Sequence, residues 1–108
     1  ESLDSHHNVL FVTEGIFDAA RVHALGLPCI AALANDPTHL RPFFRALGRR
    51  VIAVLDRDAA GQRLKRISDH SITVPEPFHD AGDMHPDQLK ELFRGDPAIL
   101  SFFGPALI

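Results

Sequence analysis

The chain has 108 residues, 45% of them hydrophobic and 23% charged, which is the composition of one globular domain with a core. Its net charge of −3 argues against a dedicated basic surface for nucleic acid, but leaves nucleic acid open as a substrate because bound cations would offset the charge. Cys29 is the single cysteine, which excludes an internal disulfide. With no long apolar stretch and no signal-like start, we expect a cytoplasmic protein without a membrane partner.

Four short apolar runs separated by helical patterns predict an α/β fold. The expected strands are Val9–Val12, Pro28–Leu33, Val51–Leu55 and Ile72–Val74, the last near a sheet edge. Helices are expected over Phe17–Leu25 (with Phe17, Ala20 and Ala24 on one face), Leu40–Leu47, Ala60–Ile67 and Pro86–Phe93. Strand–helix alternation with continuously apolar strands predicts an open, mainly parallel four-stranded sheet flanked by helices, a Rossmann-like arrangement.

Three parts are expected along the chain. Residues 1–8 form a polar lead-in, 9–95 the α/β domain, and 96–108 an apolar C-terminal segment. Because the sequence begins with Glu1 rather than Met, we expect it to be a piece of a larger protein. The apolar residues of the last segment suggest a docking surface for a neighbouring domain.

The first predicted strand ends in an acidic motif. Glu14 and Gly15 follow the strand directly, and Asp18 falls in the first turn of a helix that we expect to start near Ile16. A carboxylate in that turn suits the helix dipole, so Asp18 can equally be a simple first-turn charge. Gly15 would leave room for a substrate or a backbone to approach closely. In open α/β sheets, ligands bind just beyond such strand ends.

The third predicted strand ends in Asp56-Arg57-Asp58. Alternate residues of an extended segment point the same way, which would place the two carboxylates together for a divalent cation. Asp58 can also be the N-cap of the next helix, in whose first turn Gly61 leaves space for a substrate.

A third acidic segment, His79 to Asp83, follows the fourth predicted strand. Asp80 and Asp83 would reach the same sheet edge, although Asp and Gly also dominate ordinary turns. His79 is the one histidine that lies beside these carboxylates in the sequence. The three acidic segments together predict a Mg²⁺ or Mn²⁺ site for phosphate chemistry.

The order of these motifs resembles the TOPRIM family, closest to its bacterial and phage DNA primase branch. The match consists of Glu-Gly-x-x-Asp at Glu14–Asp18, Asp-x-Asp-x-Ala-Gly at Asp56–Gly61, and the acidic loop that follows. The resemblance covers roughly residues 9–93 and is specific as an ordered set rather than motif by motif. It implies a nucleotidyltransferase that makes RNA primers from nucleoside triphosphates on single-stranded DNA during DNA replication.

The resemblance also implies roles for individual residues. The catalytic residues would be Glu14, Asp56 and Asp58; the metal ligands would come from Glu14, Asp18, Asp56, Asp58, Asp80 and Asp83; and nucleotide or DNA contacts would come from Gly15, Asn35, Arg57 and Gly61. Known primases add a zinc-binding template reader and a basic subdomain, and some work with a replicative helicase. We therefore expect the isolated domain to polymerise little or nothing.

One departure and several alternatives remain. Where primases usually place a glycine after strand two, this chain has Leu33-Ala34-Asn35, with Asn35 and Thr38 as polar substitutes.

The same carboxylates would serve a TOPRIM nuclease that hydrolyses phosphodiesters, and the apolar tail suggests a non-catalytic docking module. A topoisomerase fits less well because the chain has no tyrosine. The arginines near the second helix suit a solvated face better than phosphate contacts (Arg41, Arg45, Arg49 and Arg50).

Overall fold

The computed structural model describes residues 9–32, 41–57 and 64–103. Within them lie four strands: β1 (Val9–Thr13), β2 (Cys29–Ala31), β3 (Arg50–Leu55) and β4 (His70–Thr73). The helices are α1 (Ile16–His23), α2 (Arg41–Leu47), α3 (Pro86–Arg94) and α4 (Pro97–Phe103), with single 3₁₀ turns at 64–67 and Ala81–Asp83. Among these described residues, no helix has the length and apolar character needed to cross a membrane.

The four strands form one parallel sheet in the order β2-β1-β3-β4, which confirms the predicted α/β fold class. Phe11 of β1 pairs with Cys29 on one side and with Ile52 of β3 on the other, and Ile52 pairs with His70 of β4. Parallel strands need crossover connections: α1 lies in the crossover between the neighbours β1 and β2, and α2 in the connection that passes from β2 across to β3.

Alternate residues of the central strands enter two separate cores, one on each sheet face. In β1, Phe11 belongs to the first core and Leu10 to the second; in β3, Ile52 and Val51 divide in the same way. Residues of the helix-bearing segments on either side complete these cores, which explains why β1 is continuously apolar from Val9 to Val12 and β3 from Val51 to Leu55. The first core also contains Val22, Met84, Leu89, Phe93 and Ile99, and the second Phe44, Leu64 and Ile67.

Two strand boundaries differ from the prediction. β2 has only three residues, whereas the apolar run extends over Pro28–Leu33. Pro28 has no N–H for the ladder, and β1 ends at Thr13, the partner of Ala31. β4 starts at His70, two residues earlier than expected, since Ile52 of β3 pairs with His70. Pairing, rather than apolar character, sets the ends of these strands.

The face of α1 that carries Phe17, Ala20 and Ala24 is exposed, whereas Asp18 and Val22 are buried. Phe17 is 84% exposed. Asp18 lies on the inner face because the backbone amide of Gly82 donates a hydrogen bond to its Oδ1 at 2.7 Å. A contact between residues so distant in sequence overrides the local apolar pattern.

The expected helix at Pro86 is confirmed as α3. Pro86 opens it, and the residue before it, His85, caps it: Nδ1 of His85 accepts from the amide of Asp87, and Oε1 of Gln88 accepts from the amide of His85. Leu89 and Phe93 of α3 are completely buried. The ring of Phe93 stacks on that of Phe11 at a centroid distance of 5.0 Å, which fixes α3 to the sheet.

The helix α4 packs on the domain's own core. Ile99 is completely buried, and Phe102 packs against the same core. Asp96 caps the helix by accepting hydrogen bonds from the amides of Ala98 and Ile99, and His70 Nε2 lies 3.0 Å from its carboxylate. Burial would raise the pKa of Asp96, but the hydrogen bonds from His70 and the helix amides outweigh it and hold that pKa below its ordinary value.

Candidate metal centre at the carboxyl edge of the sheet

The strand order creates a crevice between the carboxyl ends of β1 and β3. The connection after β1 leads outward to β2, whereas the connection after β3 leads to β4 on the opposite side. At such a topological switch point the two connections diverge, and ligands of open α/β folds bind there. Glu14 directly follows β1, and Asp56 directly follows β3. Two of the sequence-predicted acidic motifs therefore border this crevice.

Three carboxylates from separate parts of the chain meet at this edge. One oxygen each of Asp18, Asp56 and Asp80 lies within 4.8 Å of the others. Asp18 is in the first turn of α1, Asp56 follows β3, and Asp80 precedes the turn Ala81–Asp83. Hard oxygen donors at this spacing could bind a metal ion. All three were among the metal ligands expected from the sequence.

Two glycines make room for the Asp18 carboxylate, which is buried with only 6% of the residue exposed. A Cβ atom on Gly82 would lie 3.0 Å from Asp18 Oδ1, and one on Gly15 would lie 3.1 Å from Oδ2. Both positions thus need a residue without a side chain, or a small shift of the carboxylate. The space beside Gly15 that we expected a substrate to use is taken by Asp18 itself.

The environment of Asp18 favours its protonated form. Burial and the neighbouring Asp80 carboxylate raise the pKa of Asp18 from 3.8 to about 6, and the hydrogen bond from Gly82 opposes this only in part. Repulsion between nearby carboxylates is relieved by a proton or by a cation. The same arrangement that makes Asp18 a weak acid therefore makes it a suitable ligand for a cation.

Asp80 and Asp83 have different roles. Asp80 caps the turn, with Oδ1 accepting from the amide of Asp83 at 3.1 Å, and also belongs to the cluster. Asp83 Oδ2 instead accepts from the amide of His79 at 3.0 Å. Both expectations for this segment, an ordinary turn and an acidic contribution to the sheet edge, hold for Asp80. Within the described part of the chain, the three-carboxylate cluster includes neither Asp83 nor Glu14.

Arg57 connects the end of β3 to the segment that carries Asp80. Its backbone amide donates to the carbonyl of His79, its Nε donates to the carbonyl of Phe78 at 2.6 Å, and its Nη1 lies 3.4 Å from Glu76. These contacts hold the segment after β4 beside Asp56. The sequence interpretation assigned Arg57 to nucleotide contact, and that assignment stays a prediction.

Sequence reasoning missed two residues that shape the site. Gly82 supplies the amide that orients Asp18, and Thr13, which is completely buried, donates from Oγ1 to the carbonyl of Gly15 at 3.0 Å. The residues Ala-Gly-Asp predict a turn with an exposed backbone amide, but no neighbouring residue indicates that this amide bonds to Asp18. The predicted site residues Asn35, Asp58 and Gly61, and the substitute Thr38, lie outside the described residues.

Comparison of the chain with protein-family models, with curated proteins and with solved structures found no match.

Proposed function

We propose that this chain is the metal-dependent catalytic domain of a TOPRIM-type DNA primase, which joins nucleoside triphosphates into RNA primers on single-stranded DNA. One observation carries the proposal: carboxylates from three separate segments converge at the switch point of a parallel sheet. The ordered motifs around Glu14, Asp56 and Asp80 add support from the sequence.

The donor set fits Mg²⁺ or Mn²⁺. Carboxylate oxygens are hard ligands, and Mg²⁺ needs only one or two of them beside water and substrate phosphates. Asp18, Asp56 and Asp80 would hold the ion, with Asp58 as a further ligand proposed from the second motif. When bound, the ion would neutralise charge on phosphate oxygens and favour ionisation of an attacking hydroxyl.

The chain's own residues account for the arrangement of the ligands. The amide of Gly82 fixes one oxygen of Asp18, so that the carboxylate presents a defined face to the crevice. Arg57 holds the segment of Asp80 against the end of β3. Glu14, directly after β1, is the residue that we assign to accepting the proton of the attacking hydroxyl.

A TOPRIM nuclease is the second candidate, because the same carboxylates would serve hydrolysis. The Asp-x-Asp-x-Ala-Gly form of the second motif favours the primase branch. The docking-module hypothesis relied on apolar residues of the tail, and its basis is weakened because Ile99 is buried in the domain's own core and Phe102 packs against that core.

Primer synthesis is best tested in the presence of the further primase domains that the resemblance implies. The chain would be combined with the zinc-binding and basic parts of a bacterial-type primase, single-stranded DNA, labelled nucleoside triphosphates and Mg²⁺ or Mn²⁺. We expect primers with the wild type, and a fall of about 100-fold or more with Asp56→Asn, because loss of a metal-binding carboxylate removes charge stabilisation. Asp87→Asn, an exposed carboxylate on α3, is the matched control and should retain activity.

The outcomes separate the candidates. Cleavage of the labelled DNA that depends on Asp56, without primer synthesis, would favour the nuclease. If neither reaction occurs although the chain binds Mg²⁺ or Mn²⁺, the catalytic proposal is wrong. Primer synthesis by the chain alone would instead contradict the expectation that further subdomains are needed.

A further inference from the structure

A second polar cavity lies at the opposite, amino-terminal edge of the sheet. It has a volume of about 310 Å³ and is formed by α2, the start of β3 and the segment that leads into β4. Four arginines of the described residues line it, so we call this cavity the arginine pocket: Arg41, Arg45, Arg49 and Arg66.

The floor of the arginine pocket is part of the second core. Phe44, Val51 and Ile67 line it, and each is at most 7% exposed. With this apolar floor buried, the arginines, Ser68 and Asp69 supply the polar part of the lining. The pocket is therefore a formed cavity, rather than a set of arginines on an open helix face.

Positive charge dominates this cavity. Among the described residues of its lining, Asp69 is the single acidic one, and its Oδ2 already accepts a hydrogen bond from the amide of Val51 at 2.7 Å. Arg41 is oriented by a hydrogen bond from its guanidinium to the carbonyl of Arg66, which joins α2 to the segment before β4. Four arginines lining one cavity beside a single hydrogen-bonded carboxylate of the described residues stand out in a chain whose net charge is −3.

We propose that the arginine pocket binds phosphate groups. Guanidinium groups offer paired donors that match phosphate oxygens, and several converging on one cavity provide charge and geometry together. The volume admits a ligand of the size of a short polyphosphate or of one or two backbone phosphates. The phosphate could belong to a free nucleotide or to a nucleic-acid backbone.

The position of the pocket separates it from the metal centre. Val51 lines the pocket, and Asp56 lies five residues further along the chain, so the two sites are roughly 17 Å apart along β3. A phosphate bound by these arginines is therefore not the one that the carboxylates would act on. It would be a second anchoring point, and its binding requires neither a metal ion nor the proposed catalytic activity.

The test compares two variants that each remove two positive charges. Arg45→Gln with Arg66→Gln changes exposed side chains of the pocket and keeps the backbone carbonyl that orients Arg41. Lys90→Gln with Arg94→Gln on α3 is the control, away from the pocket lining. The probes are inorganic tripolyphosphate, followed by calorimetry, and a short fluorescent oligothymidylate, followed by anisotropy, both with EDTA to exclude divalent cations.

We expect the pocket variant to lose about tenfold or more in affinity, because each arginine supplies charge-assisted hydrogen bonds. The control should change affinity by less than about twofold, as expected of distant, screened charges. Pocket-dependent binding of tripolyphosphate supports the proposal with a free nucleotide as the source. Pocket-dependent binding of the oligonucleotide alone, with a steep salt dependence, supports it with a nucleic-acid backbone.

The proposal is overturned if wild type binds neither probe, or if the two variants weaken binding equally. A Mg²⁺ titration of the pocket variant keeps this result separate from the metal-centre proposal. If the variant retains cation binding but loses phosphate binding, the two sites act independently.

Discussion

Replacing Asp18 by asparagine is expected to stabilise the metal-free domain at neutral pH and to remove most of its affinity for divalent cations. At neutral pH Asp18 is ionised, although its burial and the repulsion from Asp80 disfavour the charged form and raise its pKa to about 6. Asparagine keeps an oxygen for the amide of Gly82 but carries no charge. We expect a gain of about 2 kcal/mol in the free energy of unfolding, measured by denaturant titration in EDTA.

The pH dependence follows from the raised pKa. A carboxyl that binds its proton more tightly in the folded state contributes stability below the unfolded pKa of about 3.8, and loses that contribution as the pH rises through about 6. The stability difference between Asp18→Asn and wild type should therefore grow between these pH values and level off above them. Asp87→Asn is the control and should show little difference. A less stable Asp18→Asn variant in EDTA above pH 6 would contradict this account of the site.

Truncation of Phe93 to alanine should cause a large loss in the free energy of unfolding. The residue is completely buried and its ring stacks on Phe11 of the central strand. Removing a buried aromatic ring costs about 3–5 kcal/mol from lost burial and the remaining cavity. That is a large part of the total stability of a typical domain, so a substantial lowering of the unfolding midpoint is expected in a denaturant titration.

Leu100→Ala is the matched control for Phe93. It also removes a large apolar side chain near the C-terminal end of the chain, but Leu100 is 38% exposed. Its cost should stay below about 1.5 kcal/mol. Similar losses in both variants would mean that α3 does not pack on β1 as described.

The sequence was sufficient for the order of the four strands and for α1, α2 and α3, because both central strands carry long apolar runs that are buried on two faces. It did not predict α4, and the described part of the helix expected over Ala60–Ile67, residues 64–67, is a single 3₁₀ turn. The sequence did not predict correctly which face of α1 is buried. Phe17, Ala20 and Ala24 form a helical apolar stripe, but the adjacent stripe with Asp18 and Val22 is the buried one. The deciding hydrogen bond comes from Gly82, which is 64 residues away in sequence and invisible to a periodic pattern.

The candidate site was predicted in outline rather than in detail. Acidic residues after parallel strands must share one edge, and this rule alone brings Asp56 and Asp80 together. It does not distinguish Asp80 from Asp83, since either carboxylate suits the turn, and only the backbone conformation directs Asp83 towards His79. The arginine pocket depends on Arg66 lying beside α2, a long-range contact for which the sequence holds no local signal.

The most direct test of the account is a Mg²⁺ or Mn²⁺ titration of three proteins, followed by calorimetry or NMR. These are the wild type, Asp56→Asn with Asp80→Asn, and a control with equal charge change on α3, Asp87→Asn with Glu91→Gln. Asparagine can still cap the turn at position 80, so the fold should be retained. The account predicts binding by wild type and control, and a loss of about tenfold or more in the site variant. Equal binding by all three, or no binding by the wild type, would contradict it.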